Sequence, residues 1–155
     1  MFGDDQRDGP WSAISLTTEV TIVAELLRLT PHPEGGWFRR VWTAATPAGN
    51  SAHRAAASAI LFLLAHGEGS AWHRLHTSEE WWLWRAGQPL LLHTGGAGEY
   101  PAAEHVHDLS DSATGLSGVV IPRQHWQRAS VACPGWTLVT CVVCPEFDFA
   151  DFELA

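Results

Sequence analysis

Apolar residues recur at helical spacing once in this chain, in Glu19-Val-Thr-Ile-Val-Ala-Glu-Leu-Leu-Arg-Leu29. That periodicity predicts a single amphipathic helix. Thr17 or Thr18 stands where an N-cap belongs, and Pro31 and Pro33 would end the helix. The rest reads as short strands with Gly, Pro and Asn clusters between them. The expected strands are 36–43, 57–65, 79–85, 89–94, 104–109, 118–121, 124–130 and 136–144. Turn signals fall between them at 47–50, 67–69, 95–98, 113–115 and 133–135. About eight short strands after one helix predict an all-β sandwich or barrel. Residues 1–15 are polar, with Gly and Pro, and read as a flexible tail. That leaves 16–155 as one domain.

Composition narrows the function classes. A chain of 155 residues with 46% hydrophobic content can bury a full core. The net charge is −8 and no Lys/Arg cluster occurs, which argues against a nucleic-acid partner. Lysine is absent altogether, which excludes lysine Schiff-base and general-base chemistry. No apolar run reaches the ~18 residues that span a bilayer, and the acidic N-terminus lacks a signal-peptide pattern. The expectation is a cytoplasmic protein with no membrane partner. Cys141 and Cys144 form a Cys-x-x-Cys, but on a strand a spacing of three sends them to opposite faces. Buried structural thiols are the expectation for both. Nine tryptophans against one tyrosine suggest a cavity lined partly with indole, suited to a flat or apolar ligand.

The candidate chemistry lies in Gly67-Glu-Gly-Ser-Ala-Trp-His73-Arg-Leu-His76-Thr-Ser-Glu-Glu80-Trp-Trp-Leu-Trp-Arg-Ala-Gly87. Imidazole and carboxylate are ligands for Zn, Fe, Mn and Ni. On one strand His76, Glu80, Trp82 and Trp84 share parity and would point into one cavity. His73 has the opposite parity, and a bulge or turn at Arg74-Leu75 would return it inside. The competing reading makes His73 and His76 polar rim residues and pairs Glu80 with an arginine. Pro33-Glu34-Gly35-Gly36 reads as a tight turn or as a pocket lip with Glu34 or Arg39 on the ligand. Arg74 would anchor an anionic group or pair with a nearby Glu.

The spacing from Gly67 through His73, His76 and Glu80 to Gly87 resembles the first motif of the cupin superfamily, with His-x-x-His where His-x-His is usual. Three further stretches resemble one branch of it, the cupin-5 family (DUF985). They are Leu29-Thr-Pro-His-Pro-Glu-Gly-Gly-Trp-Phe-Arg39, Trp72-His-Arg74 with Glu79-Glu-Trp-Trp82, and Pro122-Arg-Gln-His-Trp-Gln127 followed by the tail 144–154. The resemblance covers about 22–155. It implies a double-stranded β-helix, the cupin jelly-roll barrel, typically a homodimer with a small-molecule pocket at the barrel mouth. It also implies a metal-ligand position at Gln127, which glutamine fills weakly. His125 is the candidate substitute.

The expected function is therefore a small-molecule-binding cupin, with a divalent metal (Fe, Mn, Ni or Zn) held by His73, Glu80, and His76 or Gln127/His125. Its chemistry would be isomerisation or oxygenation of a small polar or sugar-like substrate, with His73 and Glu80 catalytic. Trp82, Trp84, Trp126, Arg74, Glu34 and Arg39 would contact the ligand. The alternatives are a metal-free, non-catalytic binder and a metal-free sugar epimerase. The epimerase lacks an obvious acid, because Tyr100 sits in a loop and lysine is absent. The tail Phe147-Asp-Phe-Ala-Asp-Phe152 reads as packing, dimer or lid structure.

Overall fold

The computed structural model describes residues 9–49, 53–102 and 105–155. One short helix, α1 (Val20–Leu26), precedes the strands β1 (Thr30–Pro31), β2 (Trp37–Thr43), β3 (Ser58–Ala65), β4 (His73–Leu75), β5 (Glu79–Gly87) and β6 (Leu90–Thr94). There follow β7 (His105–Leu109), β8 (Gly118–Ile121), β9 (Gln127–Val131), β10 (Trp136–Cys144), a 3-10 turn at Phe149–Asp151 and β11 (Phe152–Leu154). They form two antiparallel sheets, ordered β1-β2-β3-β10-β5-β8 and β11-β4-β9-β6-β7. This is the all-β architecture with one short helix that the strand pattern predicts, in the jelly-roll form that the resemblance implies.

The central strands explain their own sequences. β3 and β10 are buried almost throughout, so both read as continuous apolar runs rather than alternating ones. Inward, Phe62, Leu64, Val139 and Cys141 meet Trp82 of β5, Leu90 and Leu92 of β6 and Ala129 of β9 in the core between the sheets. Outward, Leu61, Leu63, Trp136 and Leu138 are covered by Val23, Ala24 and Leu27 from α1. Trp11 and Ile14 pack on the same cluster, and the Trp136 indole N–H donates to the Ser15 carbonyl at 2.9 Å. Residues 9–15 of the expected tail are thus docked; 1–8 lie outside the described residues.

Several boundaries differ from expectation. The helix stops before the prolines, because Arg28 turns into the left-handed region at φ 55. Its N-cap is Glu19 with no side-chain cap, so neither Thr17 nor Thr18 fills that role. The strand expected at 124–130 starts at Gln127, after a turn in which Gln124 has φ 68. Glu104, at the start of the expected 104–109 strand, lies outside the described residues. β1, β4 and β11 were not predicted. β11 brings the C-terminal segment back onto β4, pairing Phe152 with Leu75 and Leu154 with His73. Among the described residues no helix is long and apolar enough to cross a membrane.

Gly87, at the end of β5, has φ 101, and a Cβ there would press on the Trp136 carbonyl and approach the Thr137 Cα to 2.9 Å. Gly87→Ala should therefore cost roughly 2 kcal/mol or more in denaturant unfolding. An unchanged midpoint would contradict this packing.

Candidate functional site

The entry motif folds into a turn closed by the Gly35 N–H on the His32 carbonyl (3.0 Å) and the His32 N–H on the Gly36 carbonyl (2.9 Å). Gly35 and Gly36 take φ of 104 and 74, and a Cβ on either would strike backbone, at Gly69 or Leu63. Only glycine fits both demands. The turn directs Glu34 inward, where it is 8% exposed.

His73 and Glu80 meet it there by a route the strand-parity argument did not contain. β4 buries His73 and Leu75 and turns Arg74 outward. The chain then crosses to the other sheet, where β5 buries Glu80 and Trp82. The two side chains converge from facing sheets, with no bulge at Arg74-Leu75. The His73 Nδ1 lies 2.9 Å from the Ala71 carbonyl and 3.2 Å from Glu34 Oε2. A carbonyl only accepts, so the neutral ring carries its proton on Nδ1 and turns the Nε2 lone pair toward Glu80. Nε2 and Glu80 Oε2 are 4.0 Å apart.

Glu80 is fixed by an amide bridge. The Trp82 indole N–H donates to Gln127 Oε1 at 2.8 Å, and Gln127 Nε2 donates to Glu80 Oε2 at 2.6 Å. Indole is donor-only, so the amide has a single orientation in this network. All three side chains are buried, Trp82 and Gln127 at 1% exposure.

Glu34, His73 and Glu80 line a cavity of about 610 Å³ counting its open mouth. Its walls are Phe38, Ile60 and Phe62 on one side and Phe147, Phe149 and Phe152 of the C-terminal segment on the other. Phe152 also stacks on the His73 ring, with centroids 5.5 Å apart. Burial governs the protonation states. It lowers His73 and His32 to about 4. It raises Glu80 to about 7, against the opposing hydrogen bond from Gln127. Glu34 is pushed well above the usual carboxyl range by burial and by Glu80. At neutral pH the His73 and His32 imidazoles are uncharged and Glu80 is divided between its two forms, while Glu34 is shifted toward its protonated form.

Of the expected site residues, His73, Glu80 and Glu34 face the cavity. The others do not. His76 is 43% exposed and pairs with Glu153 at 3.0 Å, because alternation after His73 sends it outward. His125 sits in the turn before β9 with Nδ1 against the Arg123 carbonyl, and it does not share a strand face with Gln127. Arg74 pairs with Glu153 at 2.6 Å and lies 4.4 Å over the Trp126 ring, on the outside. The Arg39 Nε donates to the Leu27 carbonyl; its neighbour Arg40 reaches the cavity instead. Trp82 is core, while Trp84 and Trp126 donate to the Gln88 and Gly98 carbonyls. The cavity wall is phenylalanine rather than tryptophan. Cys141 lines it as well, whereas Cys144 is exposed, against the expectation that both thiols are buried.

The donors do not fit the expected metal set. Among the described residues no group of three or more His, Cys, Asp or Glu side chains is placed to hold an ion. Gln127 Oε1 is committed to Trp82, and Glu34 approaches His73 at Nδ1, the nitrogen turned away from Glu80. His32, Arg40, Cys141 and the aromatic tail went unrecognised as cavity residues. The signals were present in His32 and Phe38 within the entry motif and in the three phenylalanines near the C-terminus.

A jelly-roll barrel with a walled cavity at one end and buried acid and imidazole groups inside it is the architecture of a cupin. The chain belongs to that superfamily: the family model described as Cupin superfamily (DUF985) matches residues 21–155. It is similar to a protein of Shewanella oneidensis, at 31% identity over 86% of this chain and 82% of that one, with a TM-score of 0.78. A hypothetical protein from Leishmania major is 30% identical over 87% of this chain and 86% of its own, with a TM-score of 0.76. The capsular polysaccharide assembling protein CapF from Staphylococcus aureus shares the fold alone. It is 14% identical over 81% of this chain and 31% of its own, at TM-score 0.60. No curated protein matches.

Glu80 binds a proton in the folded protein between pH 4.5 and about 7 that the unfolded chain has released. Its contribution to stability is complete below pH 4.5 and lost as pH rises to about 7. Glu80→Gln should thus gain on the wild type across that interval, by up to roughly 3 kcal/mol at pH 8. Unfolding curves at pH 4.5 and 8 check this; equal differences at both would contradict it. Gln127→Leu strands the Trp82 N–H and should cost roughly 2–4 kcal/mol.

Proposed function

We propose that this cupin binds a small organic molecule in the phenylalanine-walled cavity and moves a proton on it, using groups of the chain alone. The observation that carries this reading is the 4.0 Å separation of His73 Nε2 and Glu80 Oε2. That distance is too long for a hydrogen bond, so the two atoms are not spent on each other and both are open to one ligand group seated beside the pair. A base is most effective when its pKa lies near the working pH, and Glu80 at about 7 meets that condition. In its carboxylate form Glu80 takes a proton from a ligand carbon beside a carbonyl and returns it to a neighbouring atom. His73 Nε2 accepts from a ligand hydroxyl, and protonated Glu34 donates to the ligand carbonyl as negative charge develops there. Glu34 thereby fills the acid role for which lysine is absent and Tyr100, 68% exposed, lies off the cavity lining.

The divalent metal expected from the resemblance has no place in this reading, because Gln127 Oε1 is committed to Trp82 and only His73 and Glu80 of the expected donors meet at the cavity. The homodimer is kept. Outer-face neighbours run Trp42, Ala59, Val142, Trp81, Val120 across the six-stranded sheet, and Trp42, Trp81 and Val120 are about half exposed. Such a row supports self-association. A monomer in sedimentation equilibrium at micromolar concentration would rule it out.

The test is deuterium uptake from D2O into a panel of small ketones and aldehydes, read by mass spectrometry. Uptake should rise with pH to a plateau with a midpoint near 7, resist chelators, and fall about 100-fold or more in Glu80→Gln. Binding with no uptake by any compound would leave a non-catalytic binder. Uptake abolished by chelation would restore a metal centre at His73 and Glu80.

A further inference from the structure

The lining of the cavity points to a particular ligand class. We infer that the site takes an uncharged, mainly apolar and flat molecule carrying one carbonyl or hydroxyl group, rather than a carboxylate, a phosphate or a sugar. This deepens the proposed function and rests on its placing the ligand against His73 and Glu80.

Three observations converge. First, the polar groups are gathered at one end. Glu34, His73 and Glu80 lie within contact of one another, and phenylalanine from both sides forms the walls. A ligand that fills this space has one polar head and an apolar body, which the aromatic rings favour in flat form. Second, the cavity offers an anion little positive charge. Among the described residues Arg40 is the single Lys or Arg side chain on the lining, and it is already paired with the Glu146 carboxylate and the Phe147 carbonyl. An anionic head would instead meet Glu34 and Glu80 in a buried space, where an unpaired charge is costly. Third, a sugar would find too few partners. Beyond the polar end, Ser58 adds a hydroxyl that already accepts the Phe147 N–H at 3.1 Å, and the Phe walls offer nothing to the remaining ring hydroxyls. The expectation of a small polar or sugar-like substrate is replaced by an apolar one on these grounds.

Acetophenone, benzoate and glucose test the assignment. The first two are close in size and shape and differ in charge; the third is a polyol. Calorimetric titration of the full chain at pH 7 should show acetophenone binding at least about tenfold more tightly than benzoate and no heat from glucose. Phe149→Ser removes a half-exposed ring that touches Phe147 and Phe152 and lies outside the buried core. It should weaken acetophenone about tenfold and leave the chain folded at the titration temperature, checked by circular dichroism. Benzoate or glucose binding as well as acetophenone, no binding by any of the three, or an unaffected Phe149→Ser variant would overturn the ligand class. Deuterium uptake is read separately. Its absence with acetophenone-selective binding intact sinks the proton-transfer reading and leaves the ligand class standing.

Discussion

The buried bridge from the Trp82 indole through the Gln127 amide to the Glu80 carboxyl is the interaction on which the site depends. It joins β5 of one sheet to β9 of the other and makes burial of a carboxyl tolerable. A carboxyl at 8% exposure with no donor would be held neutral far above the usual range. With the Gln127 amide donating to it, Glu80 comes to about 7. The indole in turn fixes which end of the amide faces the carboxyl. Packing, hydrogen bonding and acidity are therefore one arrangement, and replacing any one of its three members by an apolar side chain leaves a buried polar atom without its partner.

The rest of the cavity follows from where the chain can bend. The entry turn needs glycine at positions 35 and 36 for its positive φ and its close backbone approach, and it delivers Glu34. The C-terminal segment is fastened at several points. Glu146 meets Arg40 and the Ala55 N–H, Asp151 accepts from the Thr77 N–H and hydroxyl, and Glu153 meets Arg74. These ties bring Phe147, Phe149 and Phe152 over the barrel end. Arg74, expected at the ligand, acts in this fastening, and so does His76 through Glu153.

The all-β class was legible because strands between clear turn signals need only local information, and the jelly-roll form came with the family resemblance. β4 and β11 were not, since three-residue strands containing His, Arg or Glu carry no alternation to detect. The site was legible in part. His73, Glu80 and Glu34 stand out by residue type, but their meeting depends on two sheets facing each other, which strand parity cannot express. Gln127 was read as a weak metal ligand, whereas its amide is consumed by partners 45 and 47 residues away in sequence. Tryptophan was expected on the cavity wall and phenylalanine is found there. The reason is chemical: the indole N–H groups of Trp82, Trp84, Trp126 and Trp136 each seek an acceptor and find one in the framework. Phenylalanine has no such demand and can face an apolar cavity.

The central claim is that Glu80 is a buried carboxyl set to exchange its proton near neutrality. A carbon-detected NMR titration of its side-chain carboxyl, assigned with Glu80→Gln, tests that most directly. The account predicts a midpoint at about 7, moving higher in Gln127→Leu as the amide donor is lost. A midpoint near the ordinary carboxyl value of 4.5, unchanged in Gln127→Leu, would contradict it.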